Sequence, residues 1–217
     1  MSDYTFSYRQ LLADSASAQY KSIILDAFQR SKLLDRHLTG NKYSWIVNNL
    51  SESLHSELIA YCFRQMDAKA SDHSLHSLVK KIRKDNSGYI RFPGGVSSHV
   101  RITESSERER TLRDIENRLI RLRSSDTFKN ICIMRHEIIG HSQFMASTDR
   151  EKFFPNDLTW REPTQEQIIE VVTSINRIAY DYHKLVAPNC GWDILHIDEQ
   201  QKIVVDEWIA GLPFVKR

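Results

Sequence analysis

The sequence predicts an all-α protein in which amphipathic helices pack as an antiparallel bundle. Apolar side chains recur at spacings of three and four residues over most of the chain. Helix breakers are scarce, since the 217 residues include only 7 glycines and 5 prolines. A hydrophobic share of 41% with a charged share of 27% is typical of a soluble globular protein with one sizeable core. We therefore expect four or five main helices in a single domain over residues 1–217.

The helical pattern is divided into segments by short breaks. In chain order, the predicted segments are about 8–38, 43–66, 74–83, 104–122, 128–139, 164–187 and 202–212. Ser124-Ser125-Asp126 caps the fifth segment, and Thr164 forms a capping box with Gln167 at the start of the sixth. Tyr182 and His183, near the end of the sixth, are interpreted as packing and surface residues. The predicted apolar stripe of the second segment is Trp45, Val47, Leu50, Leu54, Leu58, Tyr61 and Cys62.

The stretch from about 86 to 103 is the least helical part of the chain. Its glycines and Pro93 predict a loop or a small hairpin. Aromatic residues alternate with Arg91 and Arg101, and such a pattern could stack on single-stranded RNA and neutralise it. A solvent loop with a few anchoring side chains is the competing interpretation.

The segment 104–122 is rich in arginine. Acidic residues precede several of these arginines by four positions, as in Glu109 and Arg113, which predicts a salt-bridged solvent face. The excess of arginine at Arg118, Arg121 and Arg123 leaves positive charge that could contact a phosphate backbone.

Arg135 occupies an unusual place in the most apolar short run of the chain, residues 128–139. It falls on the same helical stripe as Phe128, Ile131 and Ile138. A guanidinium cannot lose its proton, and burying it unpaired is costly. We therefore expect an anion beside it, which could be a carboxylate of this chain, a carboxylate of a partner, or a bound phosphate.

His141 follows Arg135 by six positions. On an unbroken helix it would lie about 9 Å further along the axis and about 120° around it. Gly140 is a common type of helix terminator, and a helix that ends there would let His141 approach Arg135. A permanent cation beside a group that titrates near neutrality suits phosphodiester chemistry. The structural alternative is that Arg135 pairs with a buried acid while His141 caps the helix.

Metal-ligand spacing is absent from the sequence. A zinc-peptidase helix needs two histidines four positions apart, whereas His136 and His141 are five apart, about 140° around a helix. Cys62 and Cys132 lie within apolar helical patterns and are interpreted as buried free thiols of a reducing compartment, and Cys190 adds no zinc-ligand pair. We therefore expect neither a metal nor a cofactor.

The ends and the charge of the chain bear on its location. The N-terminal residues lack the basic-then-apolar pattern of a signal peptide, and no apolar run approaches the length that spans a bilayer. These features predict a cytoplasmic protein without membrane contact. The net charge of +2 indicates no nucleic-acid binding by itself, so a basic surface must come from local arrangement.

The residues from Arg135 to Ser142 resemble the arginine–polar–spacer–histidine motif of HEPN domains. The resemblance is closest to the abortive-infection U-type (AbiU-like) branch of HEPN-like bacterial proteins. In that branch the motif often reads arginine, a polar residue, lysine, two apolar residues, alanine and histidine. This chain has Glu137 for the usual lysine and Gly140 for the usual alanine. The helical pattern that supports the resemblance covers about 43–187.

The resemblance implies the HEPN fold and a homodimer in which two Arg–His sets share one basic cleft. It implies metal-independent cleavage of single-stranded RNA that leaves a 2′,3′-cyclic phosphate. His141 would move the proton, Arg135 would stabilise the phosphoryl charge, and His136 would orient the pair or contact the phosphate. Such a toxin or antiphage effector could have an antitoxin or regulatory protein as a partner. The alternative is a non-catalytic module that binds a nucleotide or a defence protein, which the fold alone does not exclude.

Overall fold

The computed structural model describes residues 2–31, 44–67, 74–84, 105–135, 163–186 and 197–212. Within these ranges every regular element is an α-helix, which confirms the all-α prediction. The helices are α1 (Ser2–Arg30), α2 (Ser44–Met66), α3 (Leu75–Lys84), α4 (Ser105–Ser124), α5 (Asp126–Met134), α6 (Gln165–Val186) and α7 (Ile197–Gly211). These seven helices correspond in order to the seven predicted segments, and they exceed the four or five main helices expected. The predicted loop or hairpin at 86–103 lies outside the described residues.

The starts of three helices show the side-chain caps that their sequences favour. The Ser125 hydroxyl accepts from the Phe128 amide at 3.2 Å at the start of α5. Thr164 and Gln167 form the predicted reciprocal capping box before α6, with hydrogen bonds of 2.9 and 3.2 Å. Ser74 caps α3 through a 3.2 Å bond from the Ser77 amide. Because each cap satisfies an otherwise unpaired amide, these residues determine where the helices begin.

Helix α6 is central to the bundle and packs against α1, α2, α4 and α5. Its apolar stripe from Ile168 to Leu185 is buried, as the sequence predicts. Helix α7 packs on α1, where the Phe28 and Trp208 rings lie 6.0 Å apart. Burial of these stripes removes apolar surface from water and holds the helices together. None of the helices in the described ranges is long and apolar enough to cross a membrane.

A buried polar network joins α1, α2 and α6. The Tyr61 hydroxyl donates to Asn176 Oδ1 at 2.6 Å, and the Asn176 amide donates to Gln19 Oε1 at 2.7 Å. Since the Tyr61 proton is used in this way, the Ser15 hydroxyl at 3.1 Å donates to the Tyr61 oxygen. These buried groups satisfy one another, so the network fixes how the three helices are placed relative to one another.

Burial differs from the sequence prediction at four positions. Cys132, predicted to be buried, is only partly buried. Trp45 is 62% exposed and Leu50 is 38% exposed, although both were placed on the inward stripe of α2. Trp45 is two positions from the buried Val47 and therefore lies about 200° away around the helix. His183, placed at the surface by the sequence, is only 2% exposed because α1 covers it and the Tyr8 hydroxyl bonds to its Nδ1.

Candidate functional site

Arg135 is the C-cap residue of α5. Its backbone keeps α-helical dihedral angles, with φ −60° and ψ −43°, and its amide donates to the carbonyls of Ile131 and Cys132. His136 and His141 lie outside the described residues, as does the expected helix end at Gly140. Of the predicted Arg–His pair, the structure therefore describes only Arg135.

The guanidinium of Arg135 lies over the Phe63 ring of α2, with its central carbon 3.8 Å from the ring centroid. The side chain is half-buried. Across the described part of the chain, no acidic side chain forms an ion pair with it. An aromatic face stabilises a cation without using its N–H donors. The guanidinium is thus partly desolvated and positioned, yet its donors can still bind an anion.

Charged groups of both signs act on Cys132, three positions before Arg135 on α5. Burial raises the pKa of the Cys132 thiol to about 11, while the positive charges of Arg123 and Arg135 act in the opposite direction and Asp67 adds to the rise. One guanidinium from α4 and one from α5 are therefore close enough to act on the same thiol. This places Arg123 on the face of the bundle that carries Arg135.

Helix α3 borders the same face. Burial lowers the pKa of His76, and the charges of Lys80 and Arg123 lower it further, against the opposing effect of Glu116. Arg123 therefore acts on both α3 and α5. Among the residues that the structure describes, no group of three or more His, Cys, Asp or Glu side chains could hold a metal ion.

The structure separates the three arginines that the sequence groups on α4. Arg123 belongs to the face just described, whereas Arg118 and Arg121 point to the opposite side of α4, towards α6. Arg118 forms ion pairs with Asp181 and, at 3.5 Å, with Asp114, so its charge is largely neutralised. The i,i+4 pairing predicted for this helix is confirmed. Arg91 and Arg101 lie outside the described residues.

An open groove of about 410 Å³ runs between α4 and α6. Its lining residues are Arg118, Arg121, Leu122, Ser125, Ser174, Arg177 and Ile178. Arg177 was not singled out from the sequence, because its relevance depends on α6 lying beside α4. The only local signal was its position on the flank of the α6 stripe, beside the buried Ile178.

A comparison with known protein families shows which family this chain belongs to. The family model described as HEPN_AbiU2 (AbiU2) matches residues 3–206, which is most of its length. The chain belongs to the HEPN_AbiU2 family. The match extends beyond both ends of the 43–187 range that supports the sequence resemblance. No curated protein and no solved structure matches the chain.

Membership of the HEPN_AbiU2 family connects the helical bundle with abortive-infection defence. In this HEPN_AbiU2 chain, Arg135 of the predicted motif lies at the C-terminal end of α5, on the face that also carries Arg123.

Proposed function

We propose that this HEPN_AbiU2 protein is a metal-independent endoribonuclease that cuts single-stranded RNA as an abortive-infection effector. The proposal rests on the surroundings of the Arg135 side chain. It is half-buried over the Phe63 ring, and within the described ranges no carboxylate neutralises it. A structural ion pair with an acid of its own chain would instead favour a non-catalytic scaffold.

The proposed reaction is an internal transesterification of RNA. The 2′-hydroxyl attacks the adjacent phosphorus, a new P–O2′ bond forms, and the P–O5′ bond breaks. His141 takes the proton from the 2′-hydroxyl, and a second imidazole returns a proton to the leaving 5′-oxygen. Arg135 stabilises the negative charge on the non-bridging oxygens, and His136 orients the pair or contacts the phosphate. The products are a 2′,3′-cyclic phosphate and a 5′-hydroxyl, and no water or metal is consumed.

A homodimer supplies the second imidazole in this proposal. A base and an acid are needed on opposite sides of the scissile phosphate, and each chain brings one His141. A two-fold axis through a shared cleft would place two Arg135–His141 sets face to face. The positive charges of Arg123 and Lys80 near this end of the bundle would then help attract the RNA strand to the cleft.

The direct test is RNA cleavage in the presence of a chelator. The purified protein should cut single-stranded RNA in EDTA, with cyclic phosphate ends detected by mass spectrometry. Arg135→Ala and His141→Ala should each lower the rate about a hundredfold or more, because each removes charge stabilisation or proton transfer in the transition state.

The matched control is Arg9→Ala, which removes an exposed arginine from α1 and should leave the rate unchanged. Circular dichroism should show the same helix content in all variants. Cleavage that survives both site substitutions would remove Arg135 and His141 from the mechanism. A folded wild-type protein that cuts no RNA would instead favour the non-catalytic interaction module.

A further inference from the structure

The groove between α4 and α6 has a strongly positive lining. Arg135 is not one of its lining residues. Arg121 stands on the α4 side and Arg177 on the α6 side, and both side chains are exposed. Arg118 lies between the two helices, where Asp181 of α6 and Asp114 hold it. None of the lining residues is acidic.

The charges of Arg121 and Arg177 are not neutralised by the protein within the described ranges. Arg121 makes one long hydrogen bond, from Nε to the Asn117 carbonyl at 3.4 Å. Arg177 forms no ion pair with any described residue. A guanidinium fork on each wall can donate paired hydrogen bonds to a tetrahedral anion between them.

The other lining groups give the groove little means of reading a base. The Ser125 hydroxyl donates to the Leu122 carbonyl at 2.7 Å, and the Ser174 hydroxyl donates to the Glu170 carbonyl at 2.8 Å. Both protons are thus already used by the protein, and Leu122 and Ile178 are apolar. The groove therefore suits the common phosphate of a nucleic-acid strand rather than a particular base.

Helix α5 connects this groove with Arg135. Ser125, one of the residues that line the groove, is the N-cap of this nine-residue helix, and Arg135 is its C-cap. At a rise of ~1.5 Å per residue, the two caps lie about 15 Å apart along the axis. A stacked strand that rises ~3.4 Å per nucleotide covers that distance in about four or five nucleotides.

We infer that the α4–α6 groove binds a backbone phosphate of the RNA strand, at least about four nucleotides from the phosphate at Arg135. The identity of the strand rests on the proposed function, whereas the phosphate chemistry rests on Arg121 and Arg177. This contact positions the strand and adds affinity without sequence preference. Single-stranded RNA is favoured over an acidic polypeptide because a strand bound at Arg135 would continue to the groove, whereas arginine forks alone bind phosphate and carboxylate alike.

The test measures RNA binding in a His141→Ala background, so that no strand is cut. Fluorescence anisotropy would follow a labelled oligouridylate long enough to reach both sites, and a labelled uridine dinucleotide that is too short. The double variant Arg121→Gln/Arg177→Gln should weaken binding of the long strand roughly tenfold. Its slope of log Kd against log salt should fall by about 0.7, since the contact with one phosphate of a single strand is lost. Binding of the dinucleotide should not change.

The control pair is Arg9→Gln/Arg30→Gln, which removes the same charge from exposed positions of α1. An equal loss in this pair would show a general charge effect and overturn the inference. An unchanged salt slope in the groove variant, or weakened binding of polyglutamate without weakened binding of RNA, would also overturn it. All variants should keep the melting temperature of the parent protein because the substituted side chains are exposed.

The two proposals fail in distinguishable ways. A wild-type protein that cuts no RNA, but binds the long strand through Arg121 and Arg177, would refute the nuclease and keep the groove. A wild-type protein that cuts RNA, but whose groove variant binds the long strand with the same salt slope, would refute the groove and keep the nuclease.

Discussion

At the scale of single residues, the partner of Arg135 explains how a cation can lie on an apolar stripe. The sequence predicts an anion there, and the structure shows the Phe63 ring. A carboxylate would stabilise the charge by occupying N–H donors, whereas a ring leaves them available. The arrangement keeps Arg135 in place while preserving its capacity to bind phosphate.

The role of the ring can be tested with Phe63→Leu. Loss of the cation–π contact, worth about 0.5–1 kcal/mol at an exposed site, should lower RNA cleavage two- to fivefold. The control is Tyr180→Leu, because the Tyr180 ring lies 4.5 Å from the Lys184 ammonium and forms the same type of contact on α6. Cleavage should be unchanged in the control. Equal loss in both variants would mean that Phe63 acts through general stability.

The charges around Cys132 predict a pH dependence of alkylation. With a pKa of about 11, only about one thiol in a thousand is ionised at pH 8, so iodoacetamide should react slowly in the folded protein and faster in urea. Arg123→Ala removes a positive charge that favours the thiolate, so the midpoint of the pH–rate curve should rise. Peptide mapping by mass spectrometry resolves Cys132 from the other cysteines. Arg9→Ala should leave the midpoint unchanged, and a lowered midpoint in Arg123→Ala would contradict this charge arrangement.

At the scale of helices, the polar network of Tyr61 and Asn176 links three elements that apolar patterning alone would leave free to slide. The periodicity of α2 correctly places Tyr61 inward, but it does not indicate which groups meet its hydroxyl. The same holds for the Tyr8 and His183 pair, which ties α1 to the end of α6. Both pairs join residues more than a hundred positions apart in the sequence.

Tyr61→Phe tests the network. The change removes the hydroxyl and leaves Asn176 Oδ1 and the Ser15 hydroxyl buried without that partner, so the free energy of unfolding should fall by about 1–3 kcal/mol. Urea denaturation followed by circular dichroism measures this. Tyr180→Phe is the control, since no described residue bonds to the Tyr180 hydroxyl, and its effect should stay within about 0.5 kcal/mol. Equal losses in the free energy of unfolding in the two variants would show that the network has no specific role in stability.

At the scale of the whole molecule, the proposed mechanism requires two copies of the chain. Light scattering should give twice the mass of one chain. When wild-type and His141→Ala chains are mixed after joint refolding, activity should fall as the square of the wild-type fraction, because both imidazoles serve one cleft. A linear decrease would show that each chain acts alone.

Local patterns in the sequence were sufficient for the all-α class, for the starts of α5 and α6, and for the buried stripe of α6. Ser125 acts on its own helix, and Thr164 pairs with Gln167 three positions away, so the cause and its effect lie within one turn of chain. The unusual place of Arg135 on an apolar stripe was visible for the same reason. These features are properties of backbone periodicity and are independent of what the helix packs against.

Only the tertiary structure decided which side chains meet. It placed the Phe63 ring under Arg135, separated Arg123 from Arg118 and Arg121, and brought Arg177 to the α4–α6 groove. The sequence determines which face of a helix is apolar, but the helix on the other side of that face follows from the packing of the whole bundle. Contacts between distant segments therefore depend on a balance of burial over many residues, and no local spacing encodes them.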